Sequence, residues 1–260
     1  MGNKQNRRAF LGNLWMGATA AAVGGCMSDG FRLGGTGPMQ CFADKPMRKL
    51  RVGVVGLGMR GQGSVHILSM IPGVEVTALC DLYPERIALE QKWLKEQGRQ
   101  PALREYSGKT GYKALCESDL DLVYNATPWQ LHVPVAMYAM EHGKHVATEV
   151  PSAFTVEDCW RLVETSERTR RHCIQLENCC YGEIEMLTLN LARQGLLGEL
   201  KHAECAYIHD LRRDCYLDFI ADKPEYTVTG YWDQWRLKWN LTHKGNQYPT
   251  HGLGPVCWYL

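Results

Sequence analysis

The sequence has almost no net charge: 29 lysines and arginines stand against 28 aspartates and glutamates, a formal balance of +1. Nothing in that balance favours a nucleic acid or an acidic polymer as partner. The sequence also lacks an uninterrupted apolar run of the ~20 residues a spanning helix needs, which argues against a permanent transmembrane anchor. It lacks cysteine and histidine pairs at zinc-site spacing, so no metal site is expected. Its eleven cysteines are an odd, irregularly spaced set, a poor basis for a disulfide framework. Cys80, Cys159 and Cys173 fall in apolar or helical patterns and read as small core residues. Cys179 and Cys180 read as neighbours on a strand, pointing to opposite faces. What remains is a 260-residue chain, 45% hydrophobic and 22% charged, which is globular material for one large or two smaller domains that handle small molecules.

Residues 1–26 read as an export leader rather than as fold. Arg7-Arg8 precede a small-residue apolar stretch broken by Gly12, Asn13 and Gly17, and Asn6 to Leu11 resemble a twin-arginine signal. Val23-Gly24-Gly25-Cys26 resembles a bacterial lipobox, which makes Cys26 a candidate lipid anchor; the alternative is an incidental cysteine in a glycine-rich cleavage region. The expected address is across the bacterial inner membrane, in the periplasm. Residues 27–47 read as a flexible tether.

From Leu50 the pattern becomes strand, glycine turn, helix, strand. Leu50 to Val55 is a short apolar run in the manner of a buried parallel strand. Gly63 to Ile71 has helical spacing, stopped by Pro72-Gly73. Val74 to Cys80 is the next strand, and Pro84 to Gln97 a polar helix. Leu120 to Asn125 and Lys144 to Glu149 are strands alternating with helices at Val133 to His142 and Val156 to Arg170. This alternation predicts an α/β fold: a Rossmann dinucleotide-binding domain over 48–172, with right-handed crossovers and a parallel sheet. Residues 173–260 are expected to begin an α+β substrate domain, with a helix from Glu183 to Arg193. Its tryptophans and tyrosines between 226 and 248 sit beside charged and amide side chains, which suits a polar ligand surface. Because Leu260 falls inside a motif-like stretch, this domain is expected to be incomplete.

Gly56, Gly58 and Gly61 follow a strand and open a helix. The first permits the tight turn, the second lets backbone approach a pyrophosphate, and the third lets helix and strand pack closely. Free N–H groups at the helix N-terminus attract the diphosphate. Asp81, at the end of the second strand, can accept hydrogen bonds from the adenosine ribose and would repel a 2′-phosphate. The expected cofactor is NAD.

Ala126-Thr127-Pro128 with His132, Gly143-Lys144-His145-Val146 and Glu149-Val150-Pro151 resemble the Gfo/Idh/MocA oxidoreductase superfamily over about residues 48–200. That superfamily usually has Glu-Lys-Pro where Val150 stands here, and its lysine assists hydride transfer at a sugar hydroxyl. Trp129 to His132, Glu177 to Tyr181 and Tyr248 to Val256, together with the leader, resemble glycoside hydrolase family 109, whose known members are NAD-dependent glycosidases, notably α-N-acetylgalactosaminidases. The resemblance implies NAD contacts from Met59, Arg60, Asp81, Trp129 to His132, Glu149, Val150 and Asn178. It implies substrate contacts from Tyr207, Arg236, Tyr248, Pro249, Thr250 and His251.

The chemistry implied by the resemblance oxidises carbon 3 of the sugar transiently, so that a base can remove the carbon-2 proton and the aglycone can leave from carbon 1. Water adds and the hydride returns. An imidazole or phenol can serve as the proton acceptor, and Tyr248 and His251 are the candidates, with the division between them open. Tyr181 is a third catalytic candidate, facing the nicotinamide, and His132 would orient the nicotinamide or its ribose. The rival expectation is an NAD-dependent sugar oxidoreductase of the same superfamily. Expected associations are a glycan or other small-molecule substrate, the lipid at Cys26 and a homo-oligomer.

Overall fold

The computed structural model describes residues 39, 42–208 and 235–260. The expectations for the leader, for Cys26, for most of the tether and for the aromatic residues between 226 and 234 lie outside the described residues.

Six short strands form one sheet: β1 (Leu50–Val55), β2 (Val74–Asp81), β3 (Arg104–Ser107), β4 (Leu122–Asn125), β5 (His145–Glu149) and β6 (Cys173–Leu176). All neighbours are parallel and the order is β3-β2-β1-β4-β5-β6. The chain builds outward from β1 to β3 and then returns to lay β4 on the other side of β1. That reversal opens a crevice beyond the carboxyl ends of β1 and β4, the place where open α/β sheets bind ligands.

Each face of the sheet carries its own core. Helices α1 (Met59–Met70) and α2 (Pro84–Glu96) cover one face, where Val52, Val54, Leu57, Val65, Leu79, Ile87 and Leu94 are buried together. Helices α3 (Gly111–Glu117), α4 (His132–Glu141) and α5 (Val156–Thr169) supply Leu115, Cys116, Val135, Ala136, Met140 and Leu162 against Ala78, Val123 and Val146 on the other. Pro84 opens α2 at its first turn, where the missing N–H costs nothing. In α5 the Thr155 hydroxyl accepts the Asp158 N–H at 3.0 Å, and Arg170, at φ 54°, turns the chain out of the helix.

Several expectations change. Helix α1 starts at Met59 rather than Gly63, because the end of the glycine turn already forms its first turn. Strand β3 and helix α3 are additions to the sequence pattern: Arg-Glu-Tyr-Ser is a four-residue edge strand with no apolar run. Strand β6 joins the sheet, so the Rossmann unit extends to Leu176 rather than ending near 172. Cys179 and Cys180 lie in a single 3-10 turn, Asn178–Cys180, not on a strand, and Cys159 is exposed rather than core. The end of the expected tether is anchored: Asp44 accepts from Arg171 Nη1 at 2.7 Å and pairs with His145 Nε2 at 2.9 Å.

Beyond β6 the described residues add only helices, α6 (Glu183–Arg193), α7 (Trp235–Thr242) and α8 (Thr250–Tyr259). They pack with the sheet in one compact unit, Gly37–Leu260.

Candidate functional site

The glycine turn is shaped by contacts that no side chain could share. Gly56 has φ 90°, and a Cβ there would lie 2.5 Å from the Ala126 carbonyl oxygen; a Cβ on Gly61 would collide with the carbonyl oxygen of Gly56. Gly58 begins α1 with no side-chain cap, so the first N–H groups of the helix and its positive dipole end are left to an anion. Asp81, buried at the end of β2, braces the turn: one oxygen accepts the Leu57 N–H at 2.6 Å and the other the Tyr83 N–H at 3.0 Å. The Arg86 guanidinium lies 3.8 Å from the same carboxylate. Each carboxylate oxygen keeps a further lone pair for a ribose hydroxyl.

At the end of β5, Glu149 joins both sides of the crevice. It accepts from Arg60 Nε at 2.8 Å and from the Tyr124 hydroxyl. Burial, reinforced by the Glu149 charge, pushes the Tyr124 phenol well above its usual range. Val150, where the superfamily pattern has lysine, is 3% exposed and precedes a cis peptide bond to Pro151. His132 is 1% exposed, with Nδ1 at 2.7 Å from the Pro151 carbonyl and Nε2 at 2.9 Å from that of Thr127. Both ring nitrogens are thus occupied by backbone. The side chain sits between the loops after β4 and β5 and also lines the cleft. Burial lowers its pKa, opposed by those carbonyls.

The opposite wall comes from the end of the chain. The Arg236 guanidinium lies 4.9 Å from the Trp129 ring centre and 4.6 Å from that of Tyr248, and the two rings stack at 5.4 Å. Such cation–π contacts fasten α7 to the cleft. Tyr248 meets His251 edge-on at 4.8 Å, and Tyr207 meets His251 at 4.9 Å. Burial pushes the Tyr248 phenol well above its usual range against the opposing pull of Arg236. His251 Nδ1 lies 2.6 Å from Glu177 Oε1.

These two walls enclose a cleft of about 810 Å³, the size of a cofactor or drug-sized ligand pocket. It brings together Gly56, Gly58, Met59, Arg60, Asp81, Trp129, His132, Glu149, Val150, Asn178, Tyr207, Arg236, Tyr248 and His251. Gly61 acts from beneath, as a packing position. Pro249 and Thr250 cap and start α8 without lining the cleft. Tyr181 does not face it: the side chain is 60% exposed and packs edge-on against Trp258 at 5.2 Å, because the 3-10 turn swings it away from the sheet. Glu177, Tyr124 and Arg86 join the site without having been singled out by the sequence pattern. Tyr124 has a legible signal, a polar side chain near the carboxyl end of an apolar strand.

The uncapped helix start, the turn into which no Cβ fits and the buried acid after β2 fit a dinucleotide, and the cleft has room for one.

Residues 50–176 match the oxidoreductase family with an NAD-binding Rossmann fold, and residues 181–260 match the C-terminal domain of glycosyl hydrolase 109. The chain is 50% identical over 216 residues to a glycosyl hydrolase family 109 protein of Porphyromonas gingivalis, covering 82% of this chain and 43% of that one. It is 48% identical over 220 residues to an alpha-N-acetylgalactosaminidase of Bacteroides fragilis, covering 84% and 50%. The chain therefore spans about half the length of these relatives. Among solved structures it resembles an apo scyllo-inositol dehydrogenase from Lactobacillus casei (TM-score 0.51, 19% identity, 58% of this chain and 44% of that one). It also resembles an Agrobacterium radiobacter oxidoreductase in complex with NAD+, L-tartaric acid and magnesium (TM-score 0.50, 23%, 58% and 42%). These two likenesses show the Rossmann fold.

Proposed function

We propose that the protein is a glycosidase of glycosyl hydrolase family 109, whose C-terminal domain residues 181–260 match, and that it uses NAD as a resident catalyst and acts on terminal α-N-acetylgalactosamine. One observation carries the reading: Tyr248 and His251 share the dinucleotide cleft, while the superfamily's lysine position holds the buried Val150. The sugar is supported by the alpha-N-acetylgalactosaminidase relative, and NAD rather than NADP by the Asp81 carboxylate at the ribose end.

The turn from Gly56 to Gly61 and the start of α1 would hold the diphosphate, Asp81 the ribose, and Glu149, Val150 and Asn178 the nicotinamide end. Bound there, the dinucleotide supplies a reversible hydride acceptor for carbon 3 of the sugar. A ketone at carbon 3 acidifies the carbon-2 proton. The carbon-3 hydroxyl proton passes to solvent as the hydride leaves. His251 takes the carbon-2 proton and gives it to the aglycone oxygen as the bond from carbon 1 breaks. Water then adds its hydroxyl at carbon 1 and a solvent-derived proton at carbon 2, and the carbon-3 ketone recovers hydride and proton. A buried phenol with a raised pKa stays protonated, so Tyr248 holds a sugar oxygen by donating its hydroxyl while His251 is the acceptor. No pair of flanking carboxylates is needed. The export expected from Arg7-Arg8 would fit this chemistry, since a cofactor restored in each turnover needs no redox partner outside the cytoplasm.

The test is NADH accounting with a chromogenic α-N-acetylgalactosaminide and NAD-loaded protein. Release of the chromophore with no net NADH supports the reading. NADH accumulation with free sugar and no cleavage would identify a sugar oxidoreductase instead.

A further inference from the structure

Glu177 follows β6 directly and caps the turn Asn178–Cys180. It is 5% exposed. Its Oε1 accepts the Cys179 N–H at 3.0 Å and faces His251 Nδ1 at 2.6 Å, across 74 residues of sequence. Its Oε2 is buried with no hydrogen-bond partner among the described residues. Three residues beyond His251, on the same face of α8, a Cβ on Gly254 would lie 2.8 Å from Glu177 Cγ and 3.0 Å from Cys180 Sγ. The glycine lets α8 settle onto the turn and brings the imidazole to the carboxylate.

We propose that Glu177 is the positioning residue of the site, fixing the tautomer and orientation of His251. An ionised carboxylate only accepts, so Nδ1 must carry the proton and Nε2 is left bare. His251 lines the cleft, and Nε2 has no hydrogen-bond partner among the described residues. A proton taken up at Nε2 creates an imidazolium directly opposite the buried carboxylate. The significance for proton transfer rests on the function proposed above.

Cys179 Sγ also lies near these atoms, so that the three could be read as a metal site. The separation speaks against it. Two ligands each ~2.0–2.2 Å from a tetrahedral zinc stand more than about 3 Å apart, whereas 2.6 Å is a hydrogen-bond distance. Burial and the neighbouring Glu177 charge also raise the Cys179 pKa, keeping it a thiol.

The experiment is nitrogen-15 NMR of the histidine-labelled full chain, assigned with His251→Gln. The expected wild-type result is a protonated Nδ1 with a downfield proton and an unprotonated Nε2. In Glu177→Gln, which keeps the side-chain size, the downfield signal is lost, and kcat for a chromogenic glycoside falls roughly 10- to 100-fold with little change in KM. A mixed or reversed wild-type tautomer overturns the proposal, and so does an unchanged signal in Glu177→Gln. Equimolar zinc that shifts both His251 and Cys179 resonances overturns it in favour of a cation site. A lost signal with unchanged turnover upholds the pairing and instead removes His251 from the proposed chemistry.

Discussion

Arg60 and Glu149, 89 positions apart, meet at 2.8 Å across the mouth of the crevice. Arg60 sits in the first turn of α1 and Glu149 ends β5, so this contact ties the phosphate-binding turn to the strand end where the superfamily's lysine would follow. Glu149 is buried while the arginine side chain is about half exposed. The guanidinium therefore compensates a charge that would otherwise rely on the Tyr124 hydroxyl.

Arg60→Ala should weaken dinucleotide binding roughly tenfold, the lower end of what a hydrogen bond to a charged group contributes. Calorimetric titration with NAD measures this, and an unchanged Kd would show that the brace does not serve the cofactor.

The two glycines of α1 should respond in opposite ways. Gly61→Ala forces apart the contact with the Gly56 carbonyl and should destabilise by about 1–3 kcal/mol, as overpacking does. A Cβ added at Gly63 would meet nothing within 4 Å, so Gly63→Ala should gain up to about 1 kcal/mol from helix propensity. Urea unfolding of both variants checks the contrast.

In the proposed binding mode, Asp81 stands where a 2′-phosphate would arrive. Asp81→Ala should narrow the preference for NAD over NADP by at least about tenfold, read as the ratio of the two dissociation constants and equivalent to the loss of one charge-assisted hydrogen bond. It should also lower thermal stability, because the Leu57 and Tyr83 N–H groups lose their acceptor.

Glu90 gives a pH dependence of known sign. Burial raises its pKa to about 7, and the adjacent His66, whose pKa burial lowers, lies 3.1 Å away. A carboxyl raised on folding binds its proton more tightly in the native state. Its stabilising effect is complete below the unfolded value of ~4.3 and is lost as pH climbs through about 7. Glu90→Gln should therefore stabilise at about pH 8 by roughly 1–3 kcal/mol and change little at about pH 4. Equal effects at both values would contradict the assignment.

The sheet is readable because buried parallel strands leave continuous apolar runs such as Val52 to Val55 and Thr77 to Cys80. Strand β3 and helix α3 are not, since a four-residue edge strand and a two-turn helix carry too little periodicity. Gly56, Asp81, Tyr248 and His251 announce themselves by spacing and by family pattern. The role of His132 does not, because its partners are backbone carbonyls of Thr127 and Pro151, which no side-chain pattern records. Glu177 is hidden for a similar reason: its partner lies 74 residues on, and only the approach of α8 at Gly254 joins them. Tyr181 escapes the pattern because the chain leaves β6 through a 3-10 turn, whereas its apolar and polar residues read as a continuing strand.

The central claim is that carbon 3 of the sugar is oxidised and restored within each glycosidic cleavage, the cofactor being reduced and then reoxidised, with loss of the carbon-2 proton between. Hydrolysis of an α-N-acetylgalactosaminide by NAD-loaded protein in heavy water, followed by NMR of the released sugar, tests it most directly. The account predicts deuterium at carbon 2 with no net NADH. A product that keeps its original carbon-2 proton would contradict it.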